Sequence, residues 1–332
     1  MSTATAAAVR NGATRRFSPD RRYLPVLGTV IVFLLMLLVG GLRYENFLSP
    51  AVVSNLFINN AHLIVLAAGM TFVILTGGID LSVGAVLALS SVITATMLQA
   101  GIPLAVVMPV ALLAGSTIGL GMGVMIQYFD VQPFVATLAG MFLARGLCFI
   151  FAPESVPIRH EGFISLTNWG VSAGRWRLTA AVVIALLVVA GSWWVLHRTR
   201  FGRTVYAVGG GEQSATLMGL RVARTKVMVY VISGTCASLA GILFAMFSRS
   251  GYALTGVGME LDAIAAVVIG GTLLVGGMGF VLGSVAGVMV LGLIQTIITF
   301  EGTLSSWWTK IVIGVLLLVF VILQRVLSLR RT

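Results

Sequence analysis

The chain has 332 residues, 58% of them hydrophobic and only 9% charged, with a mean hydropathy of +1.06. A water-soluble fold of this composition would lack the polar surface to cover itself, so the sequence reads as a polytopic membrane protein. Its net charge of +11 does not point to nucleic acid, because the basic residues edge apolar segments and form no basic face or aromatic-interleaved patch.

Residues 1–22 carry Arg10, Arg15, Arg16, Arg21 and Arg22 against a lone Asp20 and read as a basic cytoplasmic tail. The apolar run from Leu24 to Leu42 is long enough to cross a hydrocarbon core of ~30 Å at ~1.5 Å per residue. It lacks the short core and A-x-A-like exit of a cleaved signal peptide, so it is expected to stay as the first helix. Further spans are expected at Val52–Leu75, Ile79–Leu98, Pro103–Met125, Pro133–Phe151, Leu178–Leu196, Val227–Phe247, Met259–Leu274, Phe280–Thr299 and Trp307–Leu327. The fold class is therefore all-α, with about ten transmembrane helices in a body over residues 23–328.

An even number of crossings returns the C-terminal tail, residues 329–332, to the side of the N-terminus. Charge agrees with that count. Fourteen of the 21 Lys and Arg residues lie in the first tail, in the connection over residues 197–226 and near the C-terminus, where Arg325, Arg330 and Arg331 sit. Arg175 and Arg177 run mildly against it, since they flank the sixth span on the outer side. The outer segment Ala152–Arg177 reads as a surface loop with a short interfacial helix, its Trp169 and Trp176 suited to an aromatic belt. Cys148 and Cys236 lie inside apolar spans and are expected to pack.

Glycine marks the close contacts. Gly115, Gly119 and Gly123 fall four apart on one helix face, which lets two backbones approach in lipid. A second spacing occurs twice: Gly77, Gly78 and Gly84 in TGGIDLSVGA, and Gly276, Gly277 and Gly283 in VGGMGFVLGS. Each copy joins one span to the next in the same orientation, as an internal duplication would.

Charges near spans cost at least ~2.5–3.5 kcal/mol at the bilayer centre and need an account. Asp80 is expected to cap the third helix near the interface by accepting from the backbone of Ser82 or Val83. Glu260 and Asp262 open the eighth span and favour its N-terminus. Asn55, Asn59, Asn60 and His62 lie early in the second span and Gln295 in the ninth. Their donors and acceptors suit either a neutral polyhydroxylated solute or interhelical hydrogen bonds. Asn55, Asn59, Thr76 and Gln295 are taken as candidate lining of a translocation pathway.

The longest basic interruption runs from His197 to Lys226, with Arg198, Arg200, Arg203, Arg221, Arg224 and Lys226 at its two ends. It reads as a loop, a short helix and a loop. Gly209, Gly210 and Gly211 suit a sharp turn, residues Glu212–Met218 make about two helical turns, and Gly219 ends them with φ > 0. Ser214, Ala215, Leu217 and Met218 form a small apolar face, with Glu212 and Gln213 at its start. Chemistry is argued by absence. The chain has two lysines, Lys226 and Lys310, each preceded by Thr, so no Gly-Lys-Ser/Thr phosphate loop exists, nor does a metal pair or nucleophile elbow. An enzyme is not expected.

The residues TGGIDLSVG, QPFVATLAGMFLARG, RTRFGRTVYAVGG and ELDAIAAVVIGGTLLVGGMG resemble the permease subunits of bacterial monosaccharide ABC importers of the ribose, xylose and galactose type. The resemblance covers the chain from Asn55 onward. The stretch from GVGMELDAIAAVVIGGTLL through EGTLSSWWTKIVIGVLL, Gly256–Leu317, is most similar to one of the paired permeases of a galactofuranose importer. That resemblance implies a type II-like importer permease in the bacterial inner membrane, surrounded by lipid and paired with a second permease, a paralogue or itself. It also implies two cytoplasmic ATPase subunits that hold ATP and magnesium, a periplasmic sugar-binding protein, and no cofactor on this chain. In that family a coupling helix docks in a groove of the ATPase, and the matching stretch here is Gly209–Gly219. Gly211 stands where the family usually has Asn, and Ser214 where it has a second Ala. Two rivals stay open on residues alone: an ion-coupled secondary sugar transporter using Asp80, Glu260 or Asp262, and a membrane transferase acting on a lipid-linked sugar.

Overall fold

A computed structural model describes residues 24–305 and 307–329. The basic tail over 1–22 and residues 330–332 lie outside the described residues. Leu329, expected in the C-terminal tail, still belongs to the last helix.

The described chain runs through α1 (Leu24–Arg43), α2 (Pro50–Leu75), α3 (Val83–Gln99), α4 (Leu104–Tyr128) and α5 (Pro133–Phe151). A short excursion follows, made of β1 (Val156–Pro157), α6 (Glu161–Asn168), β2 (Gly170–Ala173) and β3 (Trp176–Thr179). Then come α7 (Ala180–Arg198), α8 (Arg200–Gly210), α9 (Glu212–Leu217), α10 (Val222–Ser248), β4 (Ser250–Gly251), α11 (Met259–Ile269), α12 (Val281–Glu301) and α13 (Trp307–Leu329). The strands form only two small antiparallel pairs, β1 with β4 and β2 with β3.

Seven of the described helices, α1, α2, α4, α5, α7, α10 and α12, are long and apolar enough to cross a membrane. Two expected spans differ in extent. The one at Ile79–Leu98 is helical only from Val83. Gly77 at φ +78 ends the preceding helix, and the Asp80 carboxylate accepts from Ser82 N, fixing a turn where helical bonds would start. The one at Met259–Leu274 is a half-length helix, since the 11 residues of α11 cover ~16 Å of a ~30 Å core. Gly271, Gly276 and Gly277 all take positive φ and cannot continue it. The chain still traverses the bundle there. From Gly251, packed on Ser91, it descends beside α3 to Gly256, packed on Gly84, and α11 carries it down to Gly270, packed on Gly283.

Contacts fix which ends lie together. α1 and α12 run side by side in one direction, with Val26 at Gly283 and Arg43 paired to Glu301 at 3.2 Å. α2 runs the opposite way, its Thr71 hydroxyl 2.8 Å from that of Ser284. The centre belongs to α10, packed on α2, α3 and α4. As the four-residue spacing predicts, Gly115, Gly119 and Gly123 bring α4 onto the α10 backbone at Gly234, Tyr230 and Val227. One end of the bundle thus holds the start of α1, the end of α2, the start of α12 and the connection through α8 and α9. The opposite end holds the start of α2 and the β2–β3 hairpin, where Arg177 N donates to Ser54 Oγ at 3.1 Å.

Candidate functional site: a glycine joint and a polar cleft

α8 turns off the end of α7 at Thr199, whose hydroxyl accepts from Gly202 N at 3.2 Å. Gly202, Val205 and Val208 recur at helical spacing and face the bundle. Tyr206 donates its phenol to the Gly279 carbonyl at 2.8 Å, and burial pushes that phenol up to about 12. The helix then runs through Gly209 and Gly210 and stops at Gly211. Of the sharp turn expected over Gly209–Gly211, only the break at Gly211, between α8 and α9, is present. Gly209 is helical, and glycine is required for a different reason: a Cβ would collide with the Leu75 carbonyl and the Gly277 amide.

The two glycine motifs meet at this point. Gly277 N donates to the Leu75 carbonyl at 2.9 Å. A Cβ on Gly276 would stand 2.8 Å from Gly77 N, closer than side-chain carbons come, and in a tight contact of 3.1 Å with the Gly209 Cα. The end of α2, the loop after α11 and the end of α8 thus touch backbone to backbone. The copies share spacing and end of the bundle, but not local structure. α2 runs up to Leu75, one residue short of Thr76, whereas α11 stops at Ile269, well before Gly276.

α9 is shorter than expected, ending at Leu217, and Gly219 at φ +72 closes the turn as its residue type predicts. Ala215, expected on the outer apolar face, is instead buried with Val208 and Val222 and holds α9 to α8 and α10. Gln213 and Ser214 are exposed, as are Leu217 and Met218 at 88% and 67%. Glu212 pairs with Lys226 at 2.9 Å, tying α9 to the start of α10.

The remaining polar positions separate into structure and cavity. Asp80 is fully buried. It accepts from Ser82 N at 2.9 Å and Ser82 Oγ at 2.6 Å, as a local cap would, and also from Ser233 Oγ at 2.7 Å, which ties the start of α3 to α10. Gly78 makes room for the Tyr230 hydroxyl and Gly84 for the Glu260 carboxylate; Gly283 abuts the Gly270 carbonyl. Glu260, in the first turn of α11, accepts from Gly258 N at 3.2 Å. Asp262, in the same turn, pairs with Lys310 of α13 at 2.7 Å.

α2, α10, α11 and α12 surround a cleft of about 430 Å³ toward the opposite end. Asn55, Asn59 and Gln295 line it together, along with His62, Phe244, Phe247, Asp262 and Thr299. Thr76 does not; its hydroxyl donates to the Val73 carbonyl at 2.8 Å, at the glycine end. The side-chain amides of Asn55, Asn59 and Gln295 form no hydrogen bond among the described residues. Such amides cannot be left against lipid at membrane depth without cost, so this wall faces water or another chain. His62 lies three residues after Asn59, on the same face of α2, a periodicity that would have added it to the lining. Phe244 and Phe247 carry no comparable signal.

Residues 52–321 match the family described as branched-chain amino acid transport system / permease component. The chain is similar, at 47% identity over 311 residues, to the inner membrane ABC transporter permease protein YjfF of Escherichia coli, covering 93% of this chain and 94% of that one. It is also similar to the fructose import permease protein FruG of Bifidobacterium longum, at 44% identity over 98% and 97% of the two chains. With the ribose import permease protein RbsC of Bacillus subtilis it shares 39% identity over 91% and 92%. No solved structure matches the chain. These are transport components rather than enzymes, and they bear out the resemblance read from TGGIDLSVG and its companions. The chain belongs to the permease family of the branched-chain amino acid transport system type, as a multi-pass membrane permease component of an ABC transporter.

Proposed function

We propose that this chain is the membrane-spanning subunit through which an ABC importer admits a monosaccharide, galactofuranose being the sugar the sequence resemblance singles out. Separate ATPase subunits hold ATP and magnesium, a second permease covers the open side of the cleft, and a periplasmic binding protein delivers the sugar. A cytoplasmic assignment of that end and of both termini is supported by the basic residues around α8 and α9, in accord with the positive-inside rule. Exposed Leu217 and Met218 on α9 are suited to an ATPase groove, Met being adaptable in such contacts. Relatives named for fructose and ribose import support a sugar, and so does a cleft whose one lining carboxylate, Asp262, is already paired with Lys310.

The observation that carries this reading is continuity. α2 contributes Leu75 to the glycine joint and Asn55 and Asn59 to the cleft; α11 contributes Asp262 to the cleft and leads into Gly276 and Gly277 at the joint. A displacement of α9 reaches the cleft as rigid-body movement of those two elements. The test is uptake of labelled ribose, fructose, galactofuranose and leucine by cells carrying the whole transporter. Sugar uptake that stops on ATP depletion and resists a protonophore is expected. Uptake of leucine alone, or uptake that survives ATP depletion and collapses with the protonophore, would overturn it.

A further inference from the structure

The cleft has two kinds of lining. The amides of Asn55, Asn59 and Gln295 stand without partners among the described residues. Further along the same face of α2, three rings form a corner: His62 meets Phe244 edge-on with centroids 5.1 Å apart, and Phe247 lies 6.2 Å from His62 and 6.0 Å from Phe244. His62 is 8% exposed, while Phe247 opens 54% of its surface. Neither nitrogen of His62 has a hydrogen-bond partner among the described residues, although its ring lines the cleft. An imidazole held by two phenyl rings with an unused donor and acceptor is a recognition group in waiting, because a buried polar ring gains from any hydroxyl that reaches it.

We infer that His62 is a specificity-determining contact for the transported sugar. Its nitrogen hydrogen-bonds a ring hydroxyl, while Phe247 takes the C–H face and the amides of Asn55, Asn59 and Gln295 take the remaining hydroxyls. The inference rests on the proposed sugar transport. An aldopentose and a hexose differ in the hydroxyls they bring to one fixed nitrogen, so the position of His62 weights one sugar against another, whereas the rotatable amides adapt to either.

The experiment uses the complete importer, with ribose, fructose and galactofuranose offered singly, and the variants His62→Gln and His62→Phe. Gln keeps a donor and an acceptor; Phe keeps the aromatic packing and removes both. His62→Phe is expected to slow uptake of the preferred sugar about tenfold and to change the ratio of rates between sugars, with His62→Gln retaining most of the rate. Membrane abundance and ATPase stimulation by the binding protein are expected to persist in both. An unchanged ratio between sugars in His62→Phe, or equal loss in both variants together with loss of membrane abundance, overturns the assignment and leaves sugar transport intact. A wild-type importer that takes up none of the three sugars overturns the proposed function and this inference with it.

Discussion

The glycine joint and the polar cleft are built on opposite rules, though α2 runs through both. At the joint, three backbones touch with no side chain between them, and the Leu75 carbonyl is satisfied by Gly277 N. In the cleft, amides stand open and three rings leave about 430 Å³ unfilled. A close contact with no slack passes displacement on, because packed interiors deform little. A loose polar cavity lets a hydrated solute enter and leave, because none of its contacts is strong alone. On the proposed function, force and cargo are thus handled at separate places on the same helix.

The largest effect is expected from closing the gap at the joint. Gly209→Ala drives a methyl group into the Leu75 carbonyl and the Gly277 amide, and overpacking of this sort costs about 1–3 kcal/mol or more. Uptake is expected to vanish while the protein still inserts. Gly210→Ala is the matched control, since a Cβ there meets nothing within 4 Å and its φ is negative. Gly219→Val falls between them: its side chain would sit in open space, but φ +72 costs about 1–2 kcal/mol for an L residue. Uptake together with crosslinking of α9 to the ATPase ranks the three, and a Gly209→Ala importer working at wild-type rate would remove the joint from the mechanism.

Asp80 tests whether the buried tie between the start of α3 and α10 is structural. Asp80→Ala leaves Ser82 N and the Ser233 hydroxyl without their buried acceptor, a loss of about 1–3 kcal/mol readable as a lower melting temperature in detergent. Asp80→Asn keeps an oxygen for Ser82 and an amide that donates to Ser233 Oγ, so its stability and uptake are expected to stay close to wild type. Abolished uptake in a stable Asp80→Asn protein would instead make the carboxylate a participant in transport, as an ion-coupled carrier requires.

The sequence was legible where chemistry is local and less so where it depends on a neighbour. The length of the apolar runs locates the spans, and the residue type of Gly219 predicts its turn. Gly209 was misread because a glycine that permits a turn and one that admits a carbonyl look alike until Leu75 and Gly277 are beside it. Ala215 was placed outward for a related reason, since only the packing of Val208 and Val222 shows which side of α9 faces in. Asn55, Asn59 and Gln295 were grouped by type and do converge; Thr76 was grouped with them but lies at the other end of α2. The half-length of α11 is hidden because the stretch from Gly270 to Gly279 carries no charge to mark a break, and hydropathy does not register positive φ.

In the cleft, Asn59→Leu is expected to slow sugar uptake several-fold and leave the melting temperature unchanged, because the amide has no intramolecular partner to lose. A drop in stability as large as that of Asp80→Ala would mean that the amide is a structural bond and not part of the path.

The smallest effect belongs to the pair at the end of α1 and α12, Arg43 and Glu301. The Tyr44 hydroxyl donates to Glu301, and Arg43 approaches it at 3.2 Å with 64% of its side chain exposed. An exposed pair is screened and replaceable by water. Beside it, Phe47 is buried and meets Phe300 edge-on at 5.2 Å, so the α1–α12 contact has an apolar anchor that does not depend on charge. Glu301→Gln removes the charge but keeps an acceptor for Tyr44, and uptake is expected to stay within about twofold of wild type at both low and high salt. A large, salt-sensitive loss would place a charge-reading partner on this end and give Glu301 a role that neither the cleft nor the joint supplies.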